Sequence, residues 1–92
     1  MTREETAKIL SVIRVAYPRA YAHLSEEDIS TMINLWHRHF ENDDYALVAA
    51  ATTAYIDSNT TGFEPNIGQI KEKMRLISAP ERMDANAAWQ II

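Results

Sequence analysis

Ser25-Glu26-Glu27-Asp28-Ile29-Ser30-Thr31-Met32-Ile33-Asn34-Leu35-Trp36-His37-Arg38-His39-Phe40 is the stretch whose periodicity decides the fold class. Ile29, Met32, Ile33, Trp36 and Phe40 recur at helical spacing and so lie along one stripe of an α-helix. The start of that helix is also written in the letters. Ser25 can accept from the backbone N–H of Asp28, and the Asp28 carboxylate, a shorter stand-in for the usual Glu, can reach back to Ser25. Leu24 is placed to staple onto Ile29. A stripe with two large aromatics and three long aliphatics needs covering, so the expectation is an all-α fold in which other helices pack around this one.

Outward toward the N-terminus, Thr2 to Ala16 reads as a first helix. Thr2 and Glu5 form a capping box, Ile9, Leu10, Ile13, Ala16 and Tyr17 make its inner face, and Glu4 and Lys8 pair on the outside. Pro18 ends or breaks it, because Tyr17 before the proline is pushed away from helical torsions. Arg19 to Leu24 is expected to be a short connection.

Outward toward the C-terminus, Glu41-Asn42-Asp43-Asp44 is a turn that supplies the cap of a third helix from about Tyr45 to Asp57. Tyr45, Val48, Ala49, Thr52, Tyr55 and Ile56 share a face of it, and its many alanines leave a thin surface that a neighbour can approach closely. This helix is expected to lie against Trp36. Ser58 to Glu64 is a loop in which Gly62 suits a positive φ. Pro65 and Asn66 then open a fourth helix, with an Asn66/Gln69 capping box and a buried stripe of Ile67, Ile70, Met74 and Ile77. For the last stretch two readings stay open: Ser78 to Glu81 caps a helix, or Asp84 caps a shorter one from Ala85 to Ile92.

Composition narrows the function classes. Ninety-two residues make one domain with a modest core, and 47% hydrophobic with 24% charged residues is the balance of an ordinary globular chain. Without cysteine there are no disulfides, thiolate metal sites or cysteine nucleophiles. The polar opening Met1-Thr2-Arg3-Glu4-Glu5 reads against a signal peptide, and no run approaches the ~18 apolar residues of a membrane span, so a soluble cytoplasmic protein is expected. A formal charge of −4 disfavours direct nucleic-acid binding, which draws its affinity from clustered Lys and Arg.

Candidate chemistry resolves into structural roles. His37 and His39 are two apart and point to different faces of a helix, and His23 has no fixed relation to either, so no metal site is expected. Glu26, Glu27 and Asp28, and Glu41, Asp43 and Asp44, cluster at helix starts, where capping and the helix dipole account for them. There is no Gly-x-Ser-x-Gly elbow, and two glycines make neither a P-loop nor a dinucleotide fingerprint. The chain is therefore read as non-enzymatic and without a cofactor. Lys71, Lys73, Arg75 and Arg82 could form a DNA-facing strip, but 71, 73 and 75 fan around the helix and Glu72 and Glu81 interrupt them. Trp89 beside Ile91 and Ile92 is either the last piece of core or an anchor for a partner.

Several of these segments together carry a resemblance. Thr2 to Lys8 leading into Ala16-Tyr17-Pro18, then Leu35-Trp36-His37, Asp44-Tyr45-Ala46-Leu47, the run Phe63-Glu64-Pro65-Asn66-Ile67-Gly68-Gln69-Ile70, and Ala87-Ala88-Trp89 resemble, in order and spacing, the loader-and-inhibitor proteins of phage replicative helicases. Asn66 and Gln69 replace the Thr and Glu usual in that family's signature helix, and both replacements preserve capping. Family members commonly continue past the Trp segment in a polar tail that contacts the helicase, whereas this chain stops at Ile92. The resemblance implies an adaptor that binds a hexameric replicative helicase, holds it inactive and loads it at an origin through an initiator protein, in the cytoplasm of the bacterial host. The second reading is a small helical phage DNA-binding or transcription-regulating protein.

The sequence thus predicts a compact all-α bundle of four to five short helices with Ile29, Met32, Ile33, Trp36, Val48, Tyr55, Ile70 and Met74 in its core. Residues 1–78 form the helical core domain, and residues 79–92 a short C-terminal helix or the start of a partner-binding tail. Arg82, Trp89, Ile91 and Ile92 are the candidate partner-binding residues.

Overall fold

The four longer helices each start on a side chain that caps the backbone. In the computed structural model, which describes the backbone of residues 1–90 and the side chains of residues 1–78, Thr2 caps α1 (Arg3–Ala16) through a reciprocal pair. Glu5 N–H donates to Thr2 Oγ1 at 3.0 Å, and Thr2 N–H donates to Glu5 Oε1 at 2.9 Å. Ser25 and Asp28 do the same at 3.1 Å each for α3 (Glu26–Phe40). Asp44 accepts from Leu47 N–H at 3.2 Å to start α4 (Tyr45–Ser58), and the Asn66/Gln69 pair, at 2.8 and 3.0 Å, starts α5 (Ile67–Gln90). Between α1 and α3 the expected connection contains a single helical turn, α2 (Pro18–Tyr21). Pro18 breaks the preceding helix and, with its φ preset, serves as the first residue of the next. The described residues contain no strand, and the expected all-α bundle is the fold.

The helix at the centre is α1 rather than α3. It packs against α2, α3 and α4, and α4 in turn packs along α5 in the most extensive helix pair. Accordingly α1 buries Thr6, Ile9, Leu10 and Ile13, none more than 3% exposed. From the stripe of α3 only Trp36 and Phe40 are buried; Met32 and Ile33 pack half-buried at the margin of the core, and Ile29 is half-buried against a surface groove. The reason is position: α3 lies at an edge with α1 as its one extensive neighbour. For the same reason α4, expected against Trp36, makes its extended contacts with α1 and α5 instead. Val48, Tyr55, Ile70 and Met74 are core as expected, joined by Ala51, whose small side chain suits the close α4–α5 approach.

Ile77 departs from the predicted stripe of α5. It is 40% exposed, and among the described side chains Met74 is the last buried one. Neither cap expected for a separate last helix interrupts the backbone, which stays helical to Gln90. Ser78 instead donates its hydroxyl back to Met74 O at 3.0 Å. The two fully buried threonines are satisfied in the same way, Thr6 on Thr2 O and Thr52 on Val48 O, so among the described residues no buried side-chain polar atom lacks a partner.

Candidate partner-binding surface

The loop between α4 and α5 is held by side chains, and Asn59 makes the most of these bonds. Asn59 Oδ1 accepts from Thr61 N–H at 3.0 Å and from Thr61 Oγ1 at 2.7 Å, while Asn59 Nδ2 donates to the Phe63 carbonyl and to Tyr17 Oη, both at 2.8 Å. Tyr55 Oη donates to the same carbonyl at 3.0 Å, and Phe63 N–H donates to Thr61 Oγ1 at 3.2 Å. Gly62 supplies the turn with φ 82°, the positive value expected of it. The backbone of Phe63 is thus tied to α4 and, through Tyr17, to the end of α1. Its ring is nevertheless 70% exposed. An aromatic side chain that faces water from an immobilised backbone has no role in the core, and pre-ordered aromatics are what protein interfaces use as anchors.

Three tyrosines back this loop. Tyr17 and Tyr55 meet edge-on at 6.5 Å between ring centroids. Burial, then the Glu64 carboxylate and the neighbouring phenols, push the Tyr21 hydroxyl up to about 12. Burial also raises Tyr55, with smaller contributions from Tyr17 and Glu64. Tyr21 and Tyr55 are therefore neutral phenols at ordinary pH, and the Tyr55 hydroxyl serves as a structural donor to the Phe63 carbonyl.

The opposite corner uses its charges at home. The turn after α3 gathers two ammonium groups: the Met1 amine donates to the carbonyls of Glu41 and Asp43 at 2.9 and 2.8 Å, and Lys71 Nζ donates to His39 O at 2.7 Å and to Asp43 Oδ2 at 2.9 Å. Cations are favoured there because unpaired carbonyls and the negative end of the α3 dipole face them. Lys71 also stands 4.7 Å above the centroid of the Phe40 ring. Along α5, Lys73 donates to Ser58 Oγ at 3.2 Å and Arg75 pairs with Glu72. The strip considered for DNA is therefore engaged within the domain at 71, 73 and 75.

The side chains of Arg82 and Trp89, and the residues Ile91 and Ile92, lie outside the described residues. Among those described, no group of three His, Asp or Glu side chains is arranged to hold a metal ion. Ser25, Asp28 and Asp44 are caps, as read from the sequence, while Asp43 binds Lys71. Phe63 belongs to the resemblance but not to the candidate site residues. The signal that marks it is local: an aromatic two residues after a Thr and four after an Asn, a pattern that closes side-chain-to-backbone turns.

The described residues thus form a small helical domain that spends its polar groups on caps and corners and exposes one anchored aromatic. Residues 1–71 match the family model for the N-terminal domain of a phage helicase loader/inhibitor, and the chain belongs to that family. The matched segment ends at Lys71, the residue that ties α5 to the turn after α3. No curated protein and no solved structure matches the chain.

Proposed function

We propose that this chain is a non-enzymatic adaptor of phage DNA replication. It binds a hexameric replicative helicase, holds it inactive and delivers it to an origin marked by an initiator protein, in the cytoplasm of the bacterial host. The observation that carries this reading is the family match over residues 1–71. Two features support it: Lys71, Lys73 and Arg75 of α5 are engaged within the domain, and Phe63 is offered to solvent from a fixed loop. No helix of the described residues is long and apolar enough to cross a membrane, in keeping with work on a soluble partner.

On this reading residues 1–78 act as the folded body and residues 79–92 as the start of the helicase-binding tail, with Arg82, Trp89, Ile91 and Ile92 in contact with the helicase. Size-exclusion chromatography with light scattering tests the reading on the full chain mixed with the hexameric helicase. Co-elution with the hexamer is expected. Separate elution at all ratios, together with salt-sensitive retention on DNA, would move the regulator reading ahead.

A further inference from the structure

Three of the six large apolar side chains exposed among the described residues, Val12, Val15 and Phe63, share one face; Leu35, Leu76 and Ile77 lie on α3 and α5. Val12 at 52% exposure, Val15 at 80% and the exposed Ala16 follow one another on the outer side of α1, where an amphipathic helix ordinarily carries polar residues. Past Pro18 the row continues to Phe63. Two open grooves flank the proline: one of about 500 Å³ between Val15, Pro18 and Leu24, the other of about 480 Å³ between Tyr17, Pro18 and Phe63.

The charge on this face is opposite to that of the chain. From Glu5 to Glu26 the sequence contains Lys8, Arg14 and Arg19 and no intervening acid, in a chain of formal charge −4. Arg14 lines the first groove and Arg19 the second, and neither forms a salt bridge among the described residues. Glu64, at the edge of the second groove, is the single acid on either lining. A surface built of helices offers side-chain grooves and, among the described residues, no strand edge, so it suits a helix laid into a groove rather than an added strand.

We propose that the face formed by α1, α2 and the Phe63 loop receives an acidic amphipathic helix of a partner protein. Apolar side chains of that helix enter the grooves on either side of Pro18, and its carboxylates meet Arg14 and Arg19. Apolar anchors supply the affinity, and the opposite charges select the partner and its orientation. This proposal does not depend on the helicase reading, since it concerns the chemistry of the partner segment and not its owner.

The test uses the full ¹⁵N-labelled chain and two synthetic amphipathic helices, one with Leu on one face and Glu on the other, the second with Lys in place of Glu. The Glu peptide is expected to give saturable amide shifts centred on Val12, Val15, Ala16, Arg19, Gly62 and Phe63. Its binding should weaken as salt rises from about 0.05 to 0.5 M. Phe63→Ser or Val15→Asp should each weaken it by roughly tenfold, the loss typical of an anchor residue. The double variant Arg14→Glu/Arg19→Glu should lose the Glu peptide and gain the Lys peptide, a gain that only a folded chain can show. Absence of saturable shifts, shifts centred elsewhere, equal binding of the two peptides, or self-association through these amides without any peptide would each overturn the proposal.

Discussion

The two phenylalanines of this chain sit just beyond either end of α4 and do opposite things. Phe40 is fully buried, stacked on Trp36 at 5.7 Å and covered by the Lys71 ammonium. Phe63 is mostly exposed, yet its backbone is held by Asn59, Tyr55 and Thr61. At the first corner the side chain is the fixed part and charges close over it. At the second the backbone is fixed and the side chain is left free to meet something else. The difference separates what folds the domain from what it presents, and four measurements can break or sharpen it.

The largest effect is expected from Phe40→Ala, which opens a cavity beneath Lys71 and Trp36 and should cost about 3–5 kcal/mol in denaturant unfolding. A loss below about 1 kcal/mol would mean the ring is not the keystone of its corner. Asn59→Ala comes next, because it removes both anchors of Thr61 and one of the two donors to the Phe63 carbonyl. It should cost about 1–2 kcal/mol and speed hydrogen exchange across residues 59–64, while leaving exchange in α3 unchanged.

The tyrosines give a pH dependence with a definite sign. In the folded chain Tyr21 titrates at about 12, raised mainly by burial, while in the unfolded chain it titrates near its ordinary value of 10.0. Below the unfolded pKa both states keep the proton and nothing changes. Above it the unfolded state loses the proton first, so stability should fall as pH rises from about 10 toward 12. Tyr55, also raised by burial, acts in the same direction. Tyr21→Phe should flatten part of that decline, and an unchanged slope would show that Tyr21 is not the group responsible.

The smallest stability effect belongs to Phe63→Ala, expected within about 0.5 kcal/mol because the ring is mostly in water. That near-neutrality is the point of the comparison. If Phe63→Ala destabilised the fold as much as Phe40→Ala, the ring would be core after all and the surface would lose its anchor.

Much of this fold is legible in individual letters, and the parts that are not share a cause. Capping is a short-range affair, so Thr2/Glu5, Ser25/Asp28, Asp44 and Asn66/Gln69 can be read directly and all are present. The inner face of α1 is readable at Ile9, Leu10 and Ile13, but not the fact that α1 is central. A stripe of apolar residues tells how much surface must be covered and not how many neighbours cover it. The stripe of α3 therefore reads as that of a central helix although α3 lies at the edge. Ile77 departs for the same reason, as its spacing is right but it is 40% exposed. Pro18 reads as a break and not as the first residue of another turn, since the same ring geometry serves both.

For the candidate surface the limit is different. The family segments pass through Phe63, and the positive φ of Gly62 follows from its place in the loop, yet exposure of one aromatic depends on what the rest of the chain leaves uncovered. Lys71 shows the converse. On the sequence it is one of four cations along a helix, and only the fold brings it to Asp43, 28 residues away, and to the carbonyl end of α3.

The adaptor reading makes one demand above the others, that this chain change what a helicase does. The direct measurement is the ATPase rate of the hexameric helicase titrated with the full chain. The account predicts a rate that falls with added chain and levels off at a fixed ratio of chain to hexamer. A rate unchanged across the titration, with the chain folded by circular dichroism, would contradict it.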